Sequence, residues 1–435
     1  MNKNEKINNK YVLTNCNIVD VNKSVILRDK NIFINEEIIE KITDINSDTN
    51  GYEVIDLSKR YVMPGLINLH VHLFGSGKPS KILGGGGLQK LVVKFISTNL
   101  GKKVADSLVK NHALIQLATG VTTIRSVGDF CYSDVRVRDK INNNVFLGPR
   151  LIVSGPAITT SDGHGAGTFA ITSDTIEGLK ELVRRNYEHK VDFIKTCTTG
   201  GVMDAKKLGE PGVVKMSIEQ TKAVCDEAHR LGLKVASHVE SSEGVLIALK
   251  GGVDTIEHGS ELTEETVKLF KDENKAFVST ISPALPLAKL DYHITKLTSF
   301  SQYNSNVVFE NMIKCAKRVI EEDIIMGMGT DASCPLVTQY NTWKELIYTT
   351  KIVGTSNGFA LKTATINNAK ILGLDDKIGS IEENKIADIL VINDNPLENI
   401  STLSNPCMVI ARGNILPNLK IKKNEQIEKM LSSIL

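Results

Sequence analysis

Two histidines one residue apart, His70 and His72, close an apolar run that begins at Val62. On an extended strand alternate side chains share a face, so both imidazoles point the same way and can grip one metal ion. Further donors follow at intervals: His238 in Val235-Ala236-Ser237-His238, His258 in Thr255-Ile256-Glu257-His258, and Asp331 in Gly327-Met328-Gly329-Thr330-Asp331. Imidazole and carboxylate suit zinc and related divalent ions. Lys195, in Asp192-Phe193-Ile194-Lys195, needs its own account. Burial near cations lowers an ammonium's pKa and favours the free amine. A free amine can add carbon dioxide and become a carbamate, a carboxylate-like bridge between two metals. By residue type alone, a lysine paired with Asp or Glu at the rim is the simpler alternative.

These residues fall at the ends of apolar runs, which implies the elements that carry them. Residues 11–63 contain short strand-like runs, Tyr11–Val19, Ile26–Ile34, Ile38–Ile42 and Tyr52–Asp56, separated by polar turns. From residue 64 apolar runs alternate with helical patterns: Leu66–His72, Thr122–Ser126, Leu151–Ser154, Phe193–Cys197, Val235–His238, Thr255–His258, Ala276–Thr280 and Ile324–Gly329. Ser217 reads as the N-cap of a helix over Ser217–Leu231, and Asn304–Glu322 as another. Eight βα units suit an α/β fold of the (β/α)8 TIM-barrel type, whose sites sit at the C-terminal strand ends. Lys385–Ile392 and Cys407–Arg412 return to strand character. The expected organisation is 1–63 and 375–435 as two parts of one β-sandwich, with 64–374 as the barrel. In the tail, Ile427, Met430, Leu431 and Ile434 have helix spacing, and a helix packed on its own subunit is expected ahead of a dimer contact.

The composition sets bounds on partners. A net charge of +2 gives no field favouring nucleic acid or an anionic membrane. The seven cysteines are scattered and form no C-x-x-C pair, so neither a disulfide scaffold nor a zinc knuckle is expected. The first residues are polar, and no run is long enough to span a bilayer, so a cytoplasmic protein is expected. The run Gly84-Gly85-Gly86-Gly87 lacks the following Lys and Ser/Thr of a phosphate loop and reads as a loop near the site mouth. His112, His189, His229 and His293 fall on helical or linker segments and read as surface or packing residues. Cys197 reads as a small buried residue without a base partner.

The ordered set Pro64-Gly65-Leu66-Ile67-Asn68-Leu69-His70-Val71-His72, Phe193-Ile194-Lys195, His238, Glu257-His258-Gly259 and Gly329-Thr330-Asp331 resembles the amidohydrolase superfamily. The closing segment Gly379–Val391 is similar too, so the likeness covers nearly the whole chain. The resemblance implies that His70, His72 and Asp331 hold one metal, and that His238 and His258 hold the other. Carboxylated Lys195 would bridge them, and the metals would be zinc. Thr122–Gly128, Lys195–Met203 and Ser154-Gly155-Pro156-Ala157 followed by Gly163-His164-Gly165 look like the Xaa-Pro and Xaa-Arg/Lys dipeptidase group, in which such a histidine reaches the substrate. The residues after Asp331, Ala332-Ser333-Cys334-Pro335, depart from that group's Gly-rich continuation.

The expected activity is hydrolysis of an amide bond in a dipeptide or N-acyl amino acid. Asp331 would serve as general base and then general acid, and His164 would hydrogen-bond the carbonyl oxygen. Arg125 either pairs with a substrate carboxylate or forms a structural ion pair. A cyclic amidase of the imidazolonepropionase type is the alternative. A deaminase, which usually runs on one metal without the lysine, and a non-catalytic barrel stand further off. A homo-oligomer is expected.

Overall fold

The computed structural model describes residues 10–79, 87–417 and 421–434. The glycine run at 84–86 lies outside them. Strands from both ends of the chain pair in one eight-stranded sheet. Its order is Asn414–Ile415, Met408–Ala411, Ile389–Ile392, Tyr61–Pro64, Lys10–Asp20, Val25–Asn35 and Ile38–Asp44, with Glu53–Asp56 added on Lys10–Asp20. Register shifts around Cys16 mark bulges in the longest strand. Tyr61–Pro64 and Glu53–Asp56 pair parallel with successive parts of that strand. Alternating residues such as Leu13, Ile32, Ile34, Val62, Ile389 and Val391 form one buried apolar cluster. Each fully buried aliphatic side chain contributes roughly 1.5–3 kcal/mol.

The middle of the chain is mixed α/β, with two parallel sheets. One holds Leu66–Val71, Val121–Ser126 and Arg150–Val153. The other runs Ala170–Thr172, Ala157–Thr159, Ile194–Cys197, Val235–Val239, Thr255–His258, Ala276–Ser279 and Met326–Met328. Backbone bonds join the two: Asp192 N donates to Val153 O at 2.8 Å, Asp331 N to His70 O at 2.8 Å and His72 N to Ala332 O at 3.0 Å. The run expected as Leu151–Ser154 is broken at Ser154-Gly155-Pro156 and resumes as Ala157–Thr159. Proline cannot donate to the ladder, and Gly155 takes a left-handed φ of 60°.

Helices cover the sheets by their amphipathic faces. Ile218–Arg230 starts as expected: Ser217 Oγ accepts from Gln220 N at 3.2 Å, and Gln220 returns a bond to Ser217 N at 3.0 Å. The tail helix, Glu425–Ser432, buries Ile427 and Leu431 against Leu290 and Leu336 of the same chain. Its Glu428 accepts from Asn341 Nδ2 at 2.6 Å. Among the described residues, no helix is long and apolar enough to cross a membrane.

Candidate metal centre

Parallel strands deliver their C-terminal ends to the same side, and all six expected donors stand there. His70 lies in Leu66–Val71 and His72 just beyond it; Lys195 lies in Ile194–Cys197 and His238 in Val235–Val239. His258 ends Thr255–His258, and Asp331 follows Met326–Met328. All six are buried and line one cavity of about 470 Å³. Donor atoms of His70, His72 and Asp331 lie within 4.8 Å of one another. The His258 ring is 4.6 Å from both His70 and His238, centroid to centroid.

Each histidine has one ring nitrogen pinned. His70 Nδ1 meets Glu257 Oε2 at 2.8 Å, and His72 Nδ1 meets Gly128 O at 3.1 Å. His238 Nε2 meets Gly200 O at 3.3 Å, and His258 Nδ1 meets the Thr280 hydroxyl at 2.7 Å. Carbonyl and carboxylate oxygens only accept, so the facing nitrogen of His70, His72 and His238 must carry the proton. The other nitrogen then keeps its lone pair. That is the arrangement metal-binding imidazoles use. Burial, above all, holds all four imidazoles below their ordinary pKa, and the proximity of Lys195, His72, Arg125 and His238 adds to it at His70. Neutral imidazoles are the ligand form.

Among the described residues Lys195 Nζ is buried with no hydrogen-bond partner, and burial lowers its pKa. Of a lysine paired with Asp or Glu, the described residues show no direct hydrogen bond, while Glu257 and Asp331 act on the amine through charge. Asp331 Oδ1 also lacks a hydrogen-bond partner; it lies 3.4 Å from His72 Nε2 and 3.7 Å from His70 Nε2. Its other oxygen accepts from the Cys334 thiol at 3.2 Å. A buried amine without a hydrogen-bond partner, an orphaned carboxylate oxygen and four oriented imidazoles fit a cation centre. His258 and Asp331 sit at φ of 67° and 55°, a left-handed backbone that side-chain-bearing residues seldom adopt.

Arg125 belongs to the ion-pair alternative. Its NH2 donates to Glu257 Oε1 at 2.6 Å and its Nε to Leu69 O at 2.7 Å, below the donors and off the cavity wall. His164 does line the cavity. Its Nδ1 meets Asp204 Oδ2 at 2.5 Å, and its ring stacks on His238 at 4.2 Å. Cys197 is buried at the cavity, with its thiol pushed up to about 12 by burial. His112 bonds Leu73 O, His189 stacks on Tyr132, His229 pairs with Asp254, and none of these, nor His293, lines the cavity.

Sequence reasoning assigned no role to Glu257, Asp204, Thr280 or Glu240. Glu257 had a usable signal: it shares strand parity with Thr255, whose hydroxyl donates to it at 2.7 Å. Asp204 carried none, since only the fold brings it to His164.

The strand-end cluster on a parallel α/β scaffold defines a candidate centre for metal-assisted hydrolysis. Residues 61–416 match the amidohydrolase family, and the chain belongs to that family. It is similar to the structure of a Bifidobacterium longum protein assigned as a prolidase, at 36% identity and TM-score 0.86 over 98% of each chain. It is also similar to a Xaa-Pro dipeptidase with methionine bound in its active site, at 28% identity and TM-score 0.83, covering 94% of this chain and 99% of that one. Ochratoxinase of Aspergillus niger is 25% identical over 316 residues, 67% of this chain; the match spans 63% of that enzyme's length. Imidazolonepropionase of Picrophilus torridus is 24% identical over 391 residues, 85% of this chain and 86% of that enzyme.

Proposed function

We propose that this chain is a binuclear metal-dependent amidohydrolase cleaving the amide bond of a dipeptide or N-acyl amino acid. The observation that carries it is the convergence of His70, His72, Lys195, His238, His258 and Asp331 on one cavity, with Lys195 Nζ buried and unpartnered. The fold reading that accompanies it is a (β/α)8 barrel over 64–374, with a β-sandwich assembled from 1–63 and 375–435. Supporting closure are the bonds from Asp331 N to His70 O and from Asp192 N to Val153 O.

His70, His72 and Asp331 would hold one ion, and His238 and His258 the other. Lys195 would join them as a carbamate: its amine adds to the carbon of carbon dioxide, one C=O π pair moves onto oxygen, the N–H proton passes to water, and the resulting carboxylate-like group would be a ligand available to both ions. When bound, two zinc ions would supply an acidified water and a Lewis acid for the scissile carbonyl. Asp331 takes the proton from the attacking water and delivers it to the departing amine nitrogen. His164, its Nδ1–H held by Asp204, would donate to the carbonyl oxygen as charge develops only from the doubly protonated ring, through Nε2–H. Phe74, Phe130 and Phe169 form an apolar wall that limits water near the reacting bond.

Replacing Lys195 by alanine tests the centre. Elemental analysis of the purified variant is expected to show loss of the metal pair; two retained metals would refute the bridge. A panel of Xaa-Pro, Xaa-Arg and N-acyl amino acids, with zinc and bicarbonate supplied, tests the reaction. The likeness to imidazolonepropionase over 85% of the chain favours a cyclic amidase as the second reading, and ring-opening absorbance tests it.

A further inference from the structure

Among the described residues, five lysine or acidic side chains line the cavity: Lys195, Asp204, Glu240, Lys296 and Asp331. Lys195 and Asp331 belong to the floor, and Asp204 is committed to His164. Lys296 is exposed at the mouth. Glu240 is the remaining inner acidic side chain. It follows the strand Val235–Val239, and its backbone N donates to Thr199 Oγ1 at 3.0 Å, which fixes where its side chain leaves the main chain.

Among the described residues its buried Oε2 accepts no hydrogen bond, although the Val202 backbone reaches the carboxyl group. A Cβ placed on Gly201 would come within 3.5 Å of that oxygen and 3.3 Å of the His164 ring. Gly201 therefore leaves open the space between Glu240 and His164, beside the ring that stacks on His238. A carboxyl oxygen withdrawn from water with no donor among the described residues is costly unless something else supplies one. Burial first, and then the charges of Asp204 and Asp331, push the Glu240 carboxyl up to about 8, and a cation with N–H donors is the complement that would offset both and hold it ionised.

We infer that Glu240 is the subsite for the unblocked ammonium group of the substrate, next to the scissile carbonyl. The inference rests on the amide-hydrolase reading above and narrows it: free dipeptides are preferred over N-acyl amino acids, which lack that group.

Two measurements on the zinc-loaded protein test it. The first needs no hydrolysis. Binding of 3-methylbutylamine and of its neutral counterpart 3-methylbutan-1-ol is compared by calorimetric titration. The wild type is expected to prefer the amine, and Glu240→Gln to weaken the amine alone, by about tenfold or more. Glu240→Asp, which keeps the charge, should retain part of the preference. No amine preference in the wild type, or equal weakening of both ligands in Glu240→Gln, would overturn the inference. The second compares kcat/KM for alanyl-leucine and N-propionyl-leucine, which differ only in the ammonium group. The wild type should favour the former by about tenfold or more, and the ratio should collapse toward one in Glu240→Gln. An unchanged ratio overturns the assignment. Hydrolysis of neither compound counts against the reaction, while the titration still decides Glu240.

Discussion

Glu257 Oε2 lies 2.8 Å from His70 Nδ1, and the two side chains are almost wholly buried. The other Glu257 oxygen takes Arg125 NH2 at 2.6 Å and the Thr255 hydroxyl at 2.7 Å. The carboxylate thus ties a candidate ligand on one strand to a guanidinium on a second and to its own strand. It sets which nitrogen of His70 faces the cavity, and it neutralises a buried positive charge beneath the donors.

Glu257→Gln should weaken both functions. With the His70 tautomer no longer enforced by an anion, metal affinity is expected to fall by about 10–100-fold, read as metal occupancy against a competing chelator. Arg125 loses its counter-ion, so urea unfolding should show destabilisation of about 3–5 kcal/mol. Wild-type occupancy would show that His70 needs no anionic anchor.

Asp331→Asn keeps the size and one acceptor but removes the basic oxygen. Most turnover should disappear while both metals remain on elemental analysis. Turnover near that of the wild type would exclude Asp331 from proton transfer.

Gly329 passes directly over His70: a Cβ there would stand 2.3 Å from His70 Cβ and 2.7 Å from its backbone N. Backbone cannot give way cheaply, so Gly329→Ala should displace His70 and lower Tm and metal content together. Gly167→Ala, where no atom lies within 4 Å, serves as the comparison, although its φ of +74° carries its own strain.

Leu431 of the tail helix packs on Leu290 and on Leu336, five residues past Asp331. Leu431→Ala should cost about 2–5 kcal/mol through the cavity it leaves. Loosening of the 331–336 loop should also lower kcat. A fall in Tm with unchanged kcat would show that the loop holds without the helix.

Glu227 joins two helices by accepting from Arg230 at 2.6 Å and from Arg184 at 2.7 Å. These bonds, Arg230 first, hold its carboxyl down to about 2 from an ordinary 4.5. In that interval the unfolded chain binds more protons, so the contribution is present above the ordinary value and is lost as pH falls toward 2. Both arginines are partly exposed, so Glu227→Gln should cost only about 1 kcal/mol at neutral pH. Urea unfolding should show the two proteins converging as the pH is lowered; a constant gap would mean that the charge contributes nothing.

The sequence by itself determined the candidate donors and the parallel βα texture that carries them. Alternation places His70 and His72 on one face whatever surrounds them, and apolar runs ending in His238, His258 and Asp331 can bury only as sheet strands. The capped helix at Ser217 was legible for the same local reason. Tertiary structure alone decided three other matters. Alternation would send Glu257 and His258 to opposite faces, yet both serve the site, because His258 turns at φ 67° at the last position of its strand while Glu257 reaches across to His70 and Arg125. Arg125 could have faced substrate or structure, and the packing of neighbouring strands settled it as structure. The pairing of His164 with Asp204, forty residues apart, and the orphaned oxygen of Glu240 depend on loops whose course no local periodicity encodes. A side chain's type and parity are properties of a segment; its partner is a property of which segments the fold brings within 3 Å.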